Sequence, residues 1–143
     1  YYNKSGRFES RFPSVTIKPS PAIMLDGMEG STLGVWIACG EGRAHFPKPE
    51  VMQQILDQNL APIRFADDAG NPTETYPENP TGAPQGIASI CSPDGRHLAM
   101  MPHPERLTIP WQFPYMPESW KAYETSPWLK MFQNAREWCD KEA

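Results

Sequence analysis

The sequence has few cysteines, no long apolar run and no excess of positive charge. Its three cysteines, Cys39, Cys91 and Cys139, are odd in number and far apart, which fits neither a disulfide framework nor a zinc site. No apolar stretch approaches the about 18 residues of a membrane-spanning helix. The formal net charge of -4 and the pI of about 5.3 argue against a protein that binds nucleic acid or a membrane surface by charge. We therefore expect a cytoplasmic protein without a bound metal.

Proline, in contrast, is abundant. It accounts for 17 of the 143 residues, more than twice the usual share of about 5%. The composition is 39% hydrophobic and 11% aromatic, which is too apolar for a disordered segment. We therefore expect a folded chain with many rigid turns and extended loops.

Apolar patterns predict several strands and only two helices. The continuous apolar run over 33–38 predicts a buried central strand, and alternation over 12–18 predicts a half-exposed one. The other predicted strands cover 62–66, 87–91 and 97–101, the last two joined by an Asp-Gly hairpin turn. Helices are predicted from Pro49 to Asn59, and from Ser126 as the N-cap to about Cys139. Such a pattern is typical of part of an α/β domain.

Two proline-rich segments interrupt this pattern. Residues 71–86 contain four prolines and two asparagines and predict a long ordered loop. Residues 108–117 contain Trp111, Phe113 and Tyr115. These aromatic rings either contact a partner or pin the loop to the core, and the second interpretation is favoured.

The most informative short motif is His103-Pro104-Glu105, which follows a predicted strand. An extended chain would place Glu105 on the same side as His103, where its carboxylate can orient the imidazole as a proton acceptor. The alternative is structural, with His103 ending the strand and Glu105 pairing with Arg106 at the surface. Spacing alone favours the structural alternative.

A nucleophile for such a pair is not evident. Cys39 is the best of the cysteines because it precedes Gly40-Glu41-Gly42 at a strand end, whereas Cys91 is expected in the core and Cys139 on the last helix. The sequence has no Gly-x-Ser-x-Gly or Gly-x-Cys-x-Gly elbow. The catalytic set is therefore incomplete, and a thiol hydrolase built on Cys39 and His103 is the weaker alternative.

The sequence resembles class I, triad-type glutamine amidotransferases through its His-Pro-Glu element. Its other segments resemble the C-terminal end of the large, single-chain phosphoribosylformylglycinamidine synthases. These segments are 5–11, 40–43, 70–77, 79–84, 101–106, 126–128 and 134–136. The resemblance implies that residues 1–143 are the C-terminal portion of a flavodoxin-like α/β domain, with a mixed sheet and flanking helices.

The resemblance also implies a function. Glutaminase domains of this family hydrolyse glutamine and pass ammonia to synthetase domains of the same protein, upstream in the chain. There, ATP with magnesium drives conversion of formylglycinamide ribonucleotide to its amidine in purine synthesis. No cofactor is implied for this part of the chain, and glutamine and the synthetase domains are its implied partners. The alternative is a docking or regulatory module that retained the fold without the nucleophile.

The family pattern implies roles for individual residues. His103 would be the general base and acid for a cysteine nucleophile, and Glu105 would orient it. That cysteine would lie upstream of Ser5, outside the sequence. Ser5, Arg7 and Phe8 match a stretch that helps to hold the glutamine backbone. Cys39 stands where the family usually has histidine, so it is not expected to be the nucleophile.

Overall fold

The computed structural model describes residues 1–142, which form an α/β fold of short strands, two helices and several 3₁₀ turns, as predicted. The strands are β1 (Glu9–Arg11), β2 (Ser14–Ile17), β3 (Thr32–Gly34), β4 (Ile37–Cys39), β5 (Ile63–Phe65), β6 (Ser89–Cys91) and β7 (Leu98–Met100). The helices are α1 (Pro49–Asp57) and α2 (Leu129–Glu142). None of the helices within 1–142 has the length and apolar character needed to cross a membrane.

The core is built on a three-stranded antiparallel sheet with the order β3-β2-β5. Val15 in the central strand pairs with Leu33 on one side and Phe65 on the other, and all three are buried. Alternation predicts a half-exposed strand here, but Thr16 is only 5% exposed. Because β2 lies between two other strands and is covered on both faces, Thr16 is buried as well, whereas Ser14 at the start of the strand is half-buried.

The apolar run over 33–38 is not one strand, and the prediction of a single central strand is wrong. Its first part lies in β3, which pairs with β2, whereas its second part lies in β4, which pairs with β1. Gly34 lies at the end of β3, where the ring of Phe12 occupies the space that a side chain would need. Val35 and Trp36 connect the two sheets. The sequence patterns did not predict β1, because its residues, Glu-Ser-Arg, include no apolar side chain.

The C-terminal helix α2 packs on the 3₁₀ turn Ile23–Leu25. Trp128, just before the helix, is fully buried and its indole N–H donates to the carbonyl of Gly34 at 2.9 Å. Ser126 was predicted as the N-cap of this helix, and its hydroxyl accepts the N–H of Trp128 at 3.0 Å. The regular helix begins three residues after Ser126, once this turn has joined it to the core.

The remaining elements follow the sequence patterns. β6 and β7 form the predicted antiparallel hairpin, and Gly95 in its turn has a φ of 72°. A side chain at that position would meet the carbonyl of Pro21, so the turn requires glycine. Helix α1 begins at Pro49 as predicted and lies at the surface, with none of its residues buried. The fold therefore places the hairpin, and the chain that follows it, beside the central sheet.

Candidate active site

The backbone of His103 is fixed where the chain leaves β7. The N–H of Met101 donates to the carbonyl of Ala88 at 3.0 Å, and the N–H of His103 donates to the carbonyl of Trp36 at 2.8 Å. Pro104 then begins a single 3₁₀ turn, Pro104–Arg106. His103 thus follows the end of a strand, as the sequence predicted. Trp36, which connects the two sheets, holds its backbone in place.

His103 and Glu105 are in direct contact. Nδ1 of His103 lies 2.8 Å from Oε1 of Glu105. The contact is made by a 3₁₀ turn rather than by the extended chain that the sequence suggested, because Glu105 lies inside the turn and His103 just before it. Nε of Arg106 is 3.9 Å from the same carboxylate oxygen, so the structural alternative is also present as a longer contact.

This contact favours one tautomer of the imidazole. Where a carboxylate accepts the hydrogen bond from a neutral imidazole, the ring proton lies on Nδ1 and the lone pair on Nε2. The His103 side chain is 29% exposed and the Glu105 side chain 54% exposed, so the pair is open to a reacting group from outside the described residues. The contact has the geometry that the predicted roles of His103 as base and Glu105 as orienting acid require.

Burial argues against two of the three cysteines as a nucleophile for this pair. Cys39 and Cys91 are buried, and burial raises the pKa of both thiols. For Cys39, hydrogen bonds with Asn3 and Gly42 partly oppose that rise, and the charge of Glu9 adds to it. A raised pKa keeps a thiol protonated and unreactive at neutral pH. Cys139 is exposed on α2.

Ser5 and Arg7 lie together at a second place. They line a cavity of about 380 Å³ with Glu74 and Tyr76. The hydroxyl of Ser5 donates to Glu9 at 2.6 Å and accepts the N–H of Arg7 at 3.3 Å.

The other predicted site residues lie elsewhere. Phe8 is 68% exposed and lies beside Gly40, and it is not among the residues that line the cavity. Neither His103 nor Glu105 lines it. The structure therefore brings together Ser5 with Arg7, and His103 with Glu105, but does not place the two pairs in one cavity.

Glu9 is a buried carboxylate beside Ser5 that the sequence analysis did not single out. It is 3% exposed, and Nε of Arg11 donates to its carboxylate at 2.7 Å. Burial alone would raise the pKa of Glu9, but hydrogen bonds from Arg11 and Ser5, with the charges of Arg11 and Arg7, bring it below its ordinary value. The sequence could have indicated this ion pair, because Glu9 and Arg11 are two positions apart in β1 and therefore lie on one face of the strand.

Asn3 is a second residue that the sequence analysis did not single out, and no pattern in the sequence marks it. Its amide nitrogen donates to the carbonyls of Arg7 and Cys39 at 2.9 and 2.7 Å, and its amide oxygen accepts the N–H of Gly42 at 3.0 Å. A side chain at Gly42 would lie 2.7 Å from the sulfur of Met101. Asn3 therefore holds the glycine-rich loop between the Ser5–Arg7 segment and the strand that leads to His103.

Three comparisons with known proteins place the chain in a family. Residues 1–139 match the family model of the CobB/CobQ-like glutamine amidotransferase domain. The chain is 65% identical to the probable phosphoribosylformylglycinamidine synthase, chloroplastic/mitochondrial, of Arabidopsis thaliana and 57% identical to the phosphoribosylformylglycinamidine synthase of Homo sapiens. These matches cover 97% and 96% of the chain but only 10% of each relative, so the chain spans about a tenth of their length.

The fold agrees with a solved structure. PurLQS from Thermotoga maritima superposes with a TM-score of 0.62 at 19% identity, over 96% of this chain and 51% of that one. Together with the family match over nearly all of the sequence, this confirms the fold inferred from the sequence motifs. The chain belongs to the CobB/CobQ-like glutamine amidotransferase domain family.

Proposed function

We propose that this chain is the C-terminal part of the glutaminase domain of a phosphoribosylformylglycinamidine synthase. The observation that carries the proposal is the 2.8 Å contact between His103 and Glu105, in a chain that belongs to a glutamine amidotransferase family. The curated relatives, at 65% and 57% identity, bear the name of that synthase. The whole enzyme would use the ammonia released from glutamine for an ATP-dependent ligation.

The roles of His103 and Glu105 follow from their contact. Nε2 of His103 takes the proton from a cysteine thiol, and the thiolate attacks the carboxamide carbon of glutamine. His103 then returns the proton to the departing nitrogen, so ammonia leaves and a thioester remains. Water, deprotonated at Nε2, hydrolyses the thioester to glutamate. Glu105 holds the imidazole and stabilises its protonated form.

The proposal places the nucleophile in a segment that precedes residue 5. Two observations support this placement. The two buried cysteines have raised pKa values, and the matched relatives are about ten times longer than the chain. We expect the residues encoded before Tyr1 to include a glycine-flanked cysteine after an apolar strand. Their absence would favour the non-catalytic docking or regulatory module instead.

Glutamine would be held by the segment that contains Ser5, Arg7 and Phe8. The cavity next to Ser5 and Arg7 offers positive charge from Arg7 and Lys4 and a carboxylate from Glu74. This set suits the carboxylate and ammonium groups of a free amino acid. The exposed ring of Phe8 would complete the site against the upstream segment.

The remaining parts of the proposal concern the whole protein. The synthetase domains would bind ATP, magnesium and formylglycinamide ribonucleotide, and no cofactor is assigned to the residues of this chain. The cytoplasm is the proposed location, whereas the name of the Arabidopsis relative places that protein in the chloroplast or mitochondrion. Cell fractionation distinguishes the two.

The test is substitution of His103 in the full-length protein. His103→Ala is expected to reduce glutamine-dependent synthesis by about 10³-fold or more, because the thiol loses its base. Synthesis from added ammonium salt should stay within about twofold of the unsubstituted protein, since ammonia bypasses glutamine hydrolysis. His97→Ala is the matched control, because His97 is an exposed histidine of the hairpin. Equal loss of both activities in His103→Ala would contradict the proposed role.

A further inference from the structure

Trp36 lies outside both strands that flank it. β3 ends at Gly34 and β4 begins at Ile37, so the carbonyl of Trp36 is not used in either of their sheets. That carbonyl accepts the N–H of His103 at 2.8 Å. The residue that carries the chain from one sheet to the other thus holds the histidine backbone.

The side chain of Trp36 makes a second contact with the same segment. Its indole N–H donates to the carbonyl of Gln112 at 3.1 Å. Phe12 packs edge-on against the indole, with the ring centroids 4.8 Å apart, and also contacts Phe113 at 5.9 Å. The indole is therefore held in one orientation from which it reaches the turn around Gln112.

The turn around Gln112 is a compact unit. The side-chain oxygen of Gln112 accepts the N–H of Ile109 at 3.0 Å, and the N–H of Gln112 donates back to the carbonyl of Ile109 at 3.1 Å. Leu107, between this turn and Glu105, is fully buried. Residues 103–112 are thus attached to Trp36 at both ends, by its carbonyl at the start and by its indole at the end.

This double attachment bears on the catalytic geometry because Glu105 lies inside the segment. Packing does not hold Glu105, whose side chain is 54% exposed and also lies 3.9 Å from Arg106. The position of its carboxylate relative to His103 is set by the path of the chain between the two attachment points. Resting on the function proposed above, we propose that Trp36 is a positioning residue that fixes the His103–Glu105 geometry through both ends of residues 103–112.

The substitution Trp36→Phe removes one of the two attachments and keeps the other. The backbone carbonyl and an aromatic ring remain, and only the indole N–H to Gln112 is lost. Proton transfer is sensitive to sub-ångström placement, so we expect kcat for glutamine hydrolysis to fall about tenfold. The KM for glutamine should stay within about twofold, because Trp36 is not among the residues that line the cavity beside Ser5 and Arg7.

The experiment uses the full-length protein and a tryptophan control from the same turn. Trp111→Phe alters a ring that is 79% exposed, and should leave kcat and KM within about twofold. Ammonia-dependent synthesis should be unchanged in both variants. Gln112→Ala removes the side-chain hydrogen bond to the N–H of Ile109 without changing Trp36. It should reproduce the fall in kcat, so the inference can still be tested if Trp36→Phe folds poorly.

Several outcomes would overturn the inference. An equal kcat in Trp36→Phe and Trp111→Phe would do so, as would a loss carried by KM alone. A parallel loss of the ammonia-dependent reaction in both Trp36→Phe and Gln112→Ala would show general unfolding instead of positioning. If His103→Ala is inactive with glutamine while Trp36→Phe is normal, this inference fails and the proposed function stands. If His103→Ala keeps full activity, the proposed function itself fails.

Discussion

The two proline-rich loops of this chain are similar in proline content but are held in different ways. The first loop, residues 71–86, contains buried polar side chains. The second, predicted over 108–117, continues to residue 122; it contains aromatic side chains, and no residue in its two 3₁₀ turns is buried. Proline content alone therefore does not tell how either loop is attached to the protein, because different side-chain contacts hold each one.

The first loop is held largely from within. Asn79 is 1% exposed, and its amide nitrogen donates to the carbonyls of Thr73 and Ala83 at 3.1 and 2.9 Å. Its amide oxygen accepts the N–H of Gly82 at 2.9 Å. One side chain thus satisfies backbone groups along the whole loop, which is what a buried polar residue must do to be stable.

The second loop depends on the part of the protein against which it packs. Phe113 contacts Phe12 and Trp120, whereas Trp111 and Tyr115 are each 79% exposed. The expectation that all three aromatic rings of 108–117 pin the loop to the core is therefore correct for Phe113 and wrong for the other two. Residues two positions apart, such as these three aromatic residues, share one face only where the backbone is regularly extended. The 3₁₀ turn at 110–112 interrupts the extended backbone.

The largest stability effect is expected in the first loop. Asn79→Ala leaves several buried backbone groups without partners, and should lower the free energy of unfolding by about 3 kcal/mol. Urea unfolding followed by tryptophan fluorescence measures the change. Asn71→Ala, in the exposed start of the same loop, should cost less than about 0.5 kcal/mol. If both variants lose a similarly small amount of unfolding free energy, the first loop is not held by Asn79, and the contrast with the second loop disappears.

A smaller and pH-dependent effect is expected where the first loop meets β1. Arg11 contacts both Tyr76 of the loop and the carboxylate of Glu9. Because the pKa of Glu9 is below its ordinary value of 4.5, its contribution to stability is present above that pH. The contribution is lost as the pH falls through the lower pKa of the folded state.

The substitution Glu9→Gln tests this sign. Its deficit in unfolding free energy relative to the unsubstituted protein should be largest near pH 7 and should shrink below about pH 4.5. Glu118→Gln is the control from the second loop, where the exposed carboxylate pairs with Lys121 at 2.6 Å and the expected loss is under about 1 kcal/mol. A Glu9→Gln deficit that stays constant from pH 7 to pH 3 would contradict the assignment.

The smallest effect is expected at the exposed rings of the second loop. Tyr115→Ser should change the free energy of unfolding by less than about 0.5 kcal/mol, because most of the ring is already exposed in the folded protein. Thermal unfolding of the isolated chain is sufficient to measure it. A loss above about 1 kcal/mol would show that the ring packs on the protein in solution, and the two loops would then be alike.

Residues near one another in sequence were predicted well. The hairpin of β6 and β7 and the start of α1 at Pro49 depend on residues at most 11 positions apart. The contact of His103 with Glu105 was anticipated as one of two alternatives, but through an extended chain instead of the 3₁₀ turn that forms it. Residues far apart were not predicted. Asn3 and Cys39, or Trp36 and His103, meet only because the strands between them pair as they do, and no local periodicity encodes that pairing.

The sequence by itself determined the α/β class and the family, and it singled out His103 and Glu105 as the candidate catalytic pair, because propensities, turns and short motifs are local properties. Only the tertiary structure decided that the apolar run 33–38 divides between two sheets, and that Trp36 at the division meets the backbone of His103. The physical reason is that hydrogen bonds between distant segments depend on which strands pair. That choice is made by the packing of the whole core and not by any one segment.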